Sequence, residues 1–453
     1  MRMDDFEEVE FPPRLSNQYD TGKHCEKSSI CDGKALGRVE FDSLMDTDGR
    51  LVDEHRLRKC IFRGGINPSI RKDVWQFLFG LYPCVSTASE RETRLVEYCT
   101  KYRALKKKWQ TLLASNAEDA KLVAPPYLKN DGELSPSVEQ PQLVDLRRQD
   151  SQAEVEAVLG RPLSPEVQGT LNFIHFEAEL YAGRQQIDLA VLKSAIRIID
   201  KDVPRTDREV EYFRGTNNPN LRVLRDILIT YAAFHSQVNY AQGMNDILSR
   251  FLQTFKNEVE AYWCFVQYLE QFKSDFLEEG VLNKMNYVGN LLKEIDPDLF
   301  SYFDHLGVSD MTFCHRWMLL SFKRELSPED SLKCFEIISS HHLELSSNVA
   351  ESIRREEQRK YFQEQGGRAR TEAVDGNQDF TFDVFMSVAI LVQHRHLYFD
   401  CEEVTQVFQL TSKLSAEINL ENLLKDAEQL FLQYCKRFVE DCFLVVDLPS
   451  PTS

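Results

Sequence analysis

No stretch of the 453 residues approaches the roughly 20 consecutive apolar residues that a membrane-spanning helix requires. The longest apolar runs, Ala261 to Val266 and Cys442 to Val446, are core-sized, so an integral membrane protein is not expected. Positive charge is also short: 54 Lys and Arg face 72 Asp and Glu, for a net charge of -18 and a pI of about 5.1. A chain that gained affinity by neutralising phosphates would work against its own field, which argues against nucleic acid as a partner. Neither G-x-x-x-x-G-K-[ST] nor G-x-G-x-x-G occurs, so the chain is not expected to cradle a nucleotide itself. Sustained period-two alternation of β-branched residues is missing, and so is a repeat of fixed length.

The opening MRMDDFEEVEFPP is acidic where a secretion signal would be basic and then apolar, and the final Pro451-Thr452-Ser453 offers no cysteine for prenylation. Eleven cysteines, several inside apolar segments such as Trp263-Cys264-Phe265, then predict buried free thiols and a cytoplasmic address.

What is present is helical periodicity. Leu224, Ile227, Leu228 and Tyr231 form one stripe. Met244, Ile247, Leu248, Phe251, Leu252 and Phe255 form a second, and Val259, Tyr262, Trp263, Val266 and Leu269 a third. Further stripes at Phe313, Trp317, Leu320, at Leu332, Phe335, Ile338, and within Phe380–Val392 and Leu423–Phe438 continue the pattern, predicting an all-α domain. Upstream, Asn67-Pro68 reads as a cap followed by first-turn proline, with Ile70, Val74, Phe77 and Leu78 as the apolar face. Composition predicts a flexible polar leader over 1–55, a helical domain over 56–440 and a tail over 441–453. Polar insertions are expected at about 85–190 and 345–378.

Several motifs carry little. His175-Phe176-Glu177 opens like a deaminase signature but no P-C-x-x-C follows. Asp46-Thr47-Asp48-Gly49 resembles part of a calcium loop, yet His55 stands where the bidentate Glu belongs. No His or Cys set has metal-ligand spacing, so no metal is expected. Lys106-Lys107-Lys108 reads as a solvated helix face, with contact to a polyanion as the alternative. Phe41-Asp42-Ser43-Leu44 has the aromatic-x-x-aliphatic form that adds as a strand to ubiquitin-like autophagy proteins; the competing reading has Phe41 and Leu44 anchoring the entry segment on the domain.

Two segments place polar side chains where chemistry could use them. In Asp202-Val203-Pro204-Arg205, the proline biases Val203 toward extended backbone, which would project Arg205 from an ordered loop. Asp202 could hold its guanidinium by a forked contact. In Tyr240-Ala241-Gln242-Gly243-Met244-Asn245, Gly243 permits close backbone approach. The stripe from Met244 puts Gln242 at a helix amino terminus, which favours an anion. An arginine and a glutamine together suit GTP hydrolysis, where an amide orients water and a cation meets charge growing on the γ-phosphate. Read from the residues alone, surface ion pairs for Arg205 or Arg208 and a capping role for Gln242 explain the same pattern.

Ile199-x-x-Asp202-x-x-Arg205 and Tyr240-x-Gln242-Gly243-x-Asn245, with Arg71-x-x-x-Trp75-x-x-Leu78-x-Gly80 upstream, resemble three motifs of the TBC-domain Rab GTPase-activating proteins. The details Asn218-Pro219 and Phe322-Lys323-Arg324-Glu325 resemble the subgroup with an insertion between its first and second motifs. The resemblance implies a V-shaped multi-helix TBC domain with polar insertions. It implies Arg205 as an arginine finger and Gln242 as a glutamine finger, both supplied to a GTP-bound Rab. Asp202 would orient Arg205, Tyr240, Gly243 and Asn245 would shape the Gln242 loop, and Arg71 and Trp75 would be structural. GTP and Mg²⁺ would belong to the partner, so this chain needs no cofactor. It would visit vesicle or organelle membranes by binding Rabs, regulating vesicle trafficking. The alternative is a silent TBC scaffold that binds a Rab or an autophagy adaptor. Arg250 departs from the family pattern, with either helix packing or the Rab surface as the place its effect would fall.

Overall fold

The computed structural model describes residues 33–124, 153, 155–156, 159–215, 217–235, 238–344, 380–414 and 418–443. The expected insertion at 345–378, residues 1–32 of the leader and 444–453 of the tail lie outside them. Helices α1 (Arg38–Ser43), α2 (Glu54–Gly64), α3 (Arg71–Leu78) and α4 (Ala88–Ala114) come first. Then follow α5 (Pro165–Arg184), α6 (Leu189–Asp202), α7 (Pro219–Phe234), α8 (Met244–Phe255) and α9 (Glu258–Phe272). The remainder comprises α10 (Glu278–Ile295), α11 (Pro297–Leu306), α12 (His315–Leu319), α13 (Pro328–Ser339), α14 (Phe382–Gln393), α15 (Arg395–Phe399), α16 (Val404–Lys413) and α17 (Leu420–Phe443). Extended pairing among the described residues is limited to isolated bridges, so the fold is all-α.

Many helices start where a capping side chain precedes a proline. Ser164-Pro165, Asn218-Pro219, Asp296-Pro297 and Ser327-Pro328 each place a side-chain oxygen on a first-turn N–H, while the proline occupies a position whose N–H would otherwise be orphaned. Asn67-Pro68 behaves differently. Asn67 accepts from Ser69 and closes a turn, and α3 begins only at Arg71.

Two hydrophobic cores result among the described residues. The first gathers α3, α4 and α6–α9 around Trp75, whose ring packs edge-on against Phe79, Phe251 and Phe335 at 4.9, 5.5 and 5.7 Å. The second is built on α14, buried on every side from Phe382 to Leu391, as a helix apolar all round must be. The expected stripe at 313–320 is not one helix: a 3-10 turn at Thr312–Cys314 leads into α12, which stops at Leu319.

Parts of the expected leader and first insertion belong to the core. Leu36, Phe41, Leu44 and Leu51 are all buried. Phe41 is in α1 and both anchors of Phe41–Leu44 are spent on the domain, so the strand-addition reading fails: those side chains are unavailable and the backbone is helical. In α4, Trp109 is fully buried and donates to Thr230 Oγ1 at 2.9 Å. Of the lysine run only Lys107 is exposed; the other two are committed to partners within the fold. Lys106 pairs with Asp226 and Glu258 at 2.9 and 2.5 Å, and Lys108 donates to the carbonyls of Ala182, Gly183 and Gln185 at the end of α5. Cys99, Cys264, Cys314, Cys334, Cys401 and Cys435 are buried free thiols, whereas Cys60 is disulfide-bonded. No described helix is long and apolar enough to cross a membrane.

Candidate functional site

The first of the two segments turns out helical. Val203 has φ -57° and ψ -45°, and Val203–Arg205 forms a 3-10 turn at the end of α6. The proline's preference for extended backbone before it is overridden because Val203 is fully buried and Asp202 nearly so. The chain becomes extended only at Thr206. Arg205 therefore stands on a helix end, with its side chain 62% exposed.

One carboxylate serves both segments. Asp202 Oδ1 accepts from Arg205 Nη2, and Oδ2 accepts from the Tyr240 hydroxyl at 2.8 Å. The arginine contact uses one guanidinium nitrogen and one oxygen, not the fork expected, and the other oxygen accepts from Tyr240. Asn245 completes the link. Its Nδ2 donates to Thr206 Oγ1 at 2.9 Å, and its Oδ1 accepts from Gly243 N and lies 3.1 Å from the Tyr240 hydroxyl. Thr206 Oγ1 in turn donates to the Asp202 carbonyl at 2.9 Å. Asp202, Thr206, Tyr240 and Asn245 are all buried. In a low-dielectric setting such a satisfied network rigidifies what it holds.

Arg208 is differently placed. Its guanidinium donates to the carbonyls of Phe213 and Gly215 in its own loop, so it is committed to local structure.

Gln242 is exposed and immediately precedes α8, whose cap is Gly243. Gly243 has φ +104°, and a Cβ there would come within 3.1 Å of Leu320 Cδ2. The backbone conformation favours glycine, and any side chain would also press on Leu320. The helix amino terminus is not an open anion cradle: Gly243 N–H goes to Asn245 and Met244 N–H to the Ala241 carbonyl. What this end presents is the Gln242 side chain. It borders a cavity of about 310 Å³ lined also by Ala241, Phe276, Val281, Leu282, His315 and Leu319.

Arg71 and Trp75 lie away from this site, in the first core. Arg71 Nε and Trp75 Nε1 both donate to Glu336 Oε1, at 2.5 and 2.8 Å, tying α3 to α13. Arg250 is also internal. Its Nη2 donates to the Leu320 and Ser321 carbonyls and to Ser331 Oγ, and its guanidinium lies 4.6 Å from the Phe335 ring centre. Burial lowers its pKa. It acts on helix packing and does not reach the surface.

A model of the Rab-GTPase-TBC domain matches residues 176–359. Over that stretch the chain is similar to the TBC-domain family. The match contains Asp202, Arg205, Tyr240, Gln242, Gly243 and Asn245 and leaves Arg71 and Trp75 outside. Human TBC1 domain family member 17 is 28% identical over 308 residues, 68% of this chain and 37% of that protein. The Schizosaccharomyces pombe GTPase-activating protein gyp7 is 25% identical over 403 residues, 88% of this chain and 42% of its own. The chain thus spans less than half the length of these TBC relatives. The crystal structure of the Ypt/Rab-GAP domain of Gyp1p superposes with a TM-score of 0.53 at 16% identity, covering 87% of this chain and 98% of that one, which establishes the shared TBC fold.

Sequence reasoning gave no role to Thr206, which joins the two segments, or to Lys323, which sits behind them. Thr206 adjoins Arg205, but nothing local signals that its hydroxyl meets a residue on α8.

Proposed function

We propose that this chain is a GTPase-activating protein for Rab-family small GTPases, regulating vesicle trafficking. Arg205 acts as the arginine finger, meeting charge that develops on the γ-phosphate, and Gln242 orients the attacking water in place of a glutamine of the GTPase. Asp202 orients Arg205, while Tyr240, Gly243 and Asn245 shape the Gln242 loop. GTP and Mg²⁺ are held by the partner, and the chain adds side chains only. It works from the cytoplasm, reaching vesicle or organelle membranes by binding Rabs there.

The observation that carries this reading is an arginine exposed at its tip yet held at its base by a buried aspartate that also holds the Gln242 segment through Tyr240. A side chain meant only for a surface ion pair has no need of that support. Such pre-set donors lower the cost of meeting transition-state charge. The relatives named as GTPase-activating proteins support the same reading.

Single-turnover GTP hydrolysis across a panel of purified Rabs, with the intact chain and Arg205→Lys in parallel, tests it. Stimulation of one or a few Rabs that falls by about 10³-fold or more in the variant is expected, the size an arginine finger supplies. If no Rab responds to the folded protein, the activity fails; retained Rab binding would then mark the chain as a tether.

A further inference from the structure

A third segment stands behind the two that carry Arg205 and Gln242. Lys323 Nζ, on a side chain only 10% exposed, donates to Asp207 Oδ2 at 2.6 Å, to Ser249 Oγ at 2.8 Å and to the Asp246 carbonyl at 2.9 Å, with Asp246 Oδ1 at 3.2 Å. Asp207 is two residues after Arg205, and Asp246 and Ser249 are on α8, directly after Gln242. Ser249 Oγ also donates to Asp207 Oδ2, at 2.5 Å, and Arg324 takes both oxygens of Asp246 at 2.9 and 3.0 Å.

We propose that Lys323 is a positioning residue that sets the Arg205 turn and the Gln242 segment relative to each other. The idea rests on the roles proposed above for Arg205 and Gln242. The backbone supplies the reason for such a device. Asp207 has φ +42°, a left-handed conformation that a residue with a side chain adopts at a cost unless its surroundings fix it. That residue decides the direction in which the chain leaves the Arg205 turn. Its carboxylate is fixed by Lys323 and Ser249 together. Lys323 is itself delivered by two consecutive left-handed residues, Ser321 at φ +45° and Phe322 at φ +56°. Arg250 on α8 donates to the carbonyls of Leu320 and Ser321, where that segment begins. The α8 helix therefore holds the segment that reaches back across it to the arginine side. Acceptors converging on one point from two elements suit a compact ammonium with three donors.

The test uses the full chain with Lys323→Met, which keeps the length and loses the charge, and Lys323→Arg. Single-turnover hydrolysis is measured against the Rab that the unaltered chain stimulates, over a range of activator concentrations that separates kcat from KM. Hydrogen exchange is followed in peptides covering 203–210 and 240–248. The Met variant is expected to lose about 10- to 100-fold in kcat with little change in KM, as displaced catalytic groups do, and to exchange faster in both peptides. Lys323→Arg should recover only part of the loss, since it keeps the charge but its planar fork does not match acceptors that converge on one point. A Met variant that keeps its kcat and its protection overturns the proposal. So does loosening confined to one peptide, or spread evenly over the first core. If Lys323→Met does not fold, Asp207→Asn must give the same paired effect, and the proposal falls if it does not. Should the unaltered chain stimulate no Rab, the GTPase reading fails, and exchange alone decides: joint loosening upholds the coupling, anything else ends it.

Discussion

Tyr240 donates its hydroxyl to the Asp202 oxygen that Arg205 leaves unused, so an aromatic residue two positions before Gln242 helps fix the support of Arg205, 35 residues earlier in the chain. Tyr240→Phe removes the hydroxyl and little else. It leaves a buried carboxylate oxygen short of a donor, a loss of about 1–3 kcal/mol. Chemical denaturation should register that cost. GTP hydrolysis should fall by roughly tenfold, less than for Arg205→Lys, because the support is loosened while the guanidinium remains.

Gly243→Ala should damage the Gln242 segment by geometry alone. The position combines φ +104° with a neighbour 3.1 Å from any Cβ. Strain of that kind costs on the order of 1–3 kcal/mol. Denaturant unfolding should show the loss, and stimulation should drop even though Gln242 is intact. Full stability and activity together would mean the loop adapts freely.

Arg71→Met probes the first core. Glu336 is fully buried, and its pKa is raised by that burial while the Arg71 charge holds it down. Removing the arginine leaves a buried carboxylate with the Trp75 N–H as its remaining side-chain donor here, a loss of about 3–5 kcal/mol at neutral pH. A carboxyl whose folded pKa is raised is best tolerated when protonated. The defect measured by thermal melting should therefore shrink as pH falls, and adding Glu336→Gln should relieve part of it at neutral pH.

His342 gives a pH dependence of opposite origin. It is buried against Phe62 and His55, and burial, followed by the charges of His55, Arg63 and Lys59, lowers its pKa from 6.5 to about 4. The unfolded chain binds this proton first, so stability is lost as pH drops from about 6.5 toward 4, by on the order of 3 kcal/mol in full. His342→Phe should lose less melting temperature than the unaltered chain over that interval. Parallel losses would show that His342 does not titrate as its burial requires.

Some of this was legible before folding. The stripes from Leu224 to Leu269 place α7, α8 and α9 correctly because apolar residues recur at helical spacing, although packing buries α7 and α8 on nearly every side; Asn67-Pro68, by contrast, closes a turn and does not start α3. Gly243 declared its position because that backbone favours glycine. Other local rules lost to packing. Pro204 did not extend Val203, since burying that side chain favoured the helical turn, and Lys106 and Lys108 left solvent for partners that sequence does not bring near them.

The sequence by itself determined the helical class and the residue types on which the proposed GTP chemistry draws, because periodicity, capping and residue type are local properties. Tertiary structure decided which arginine is held ready and which is spent, how Asp202 divides its oxygens, and that Lys323 reaches two segments at once. Those are relations between atoms far apart in the chain, set by the burial of whole helices and by the need to satisfy each polar group that burial removes from water.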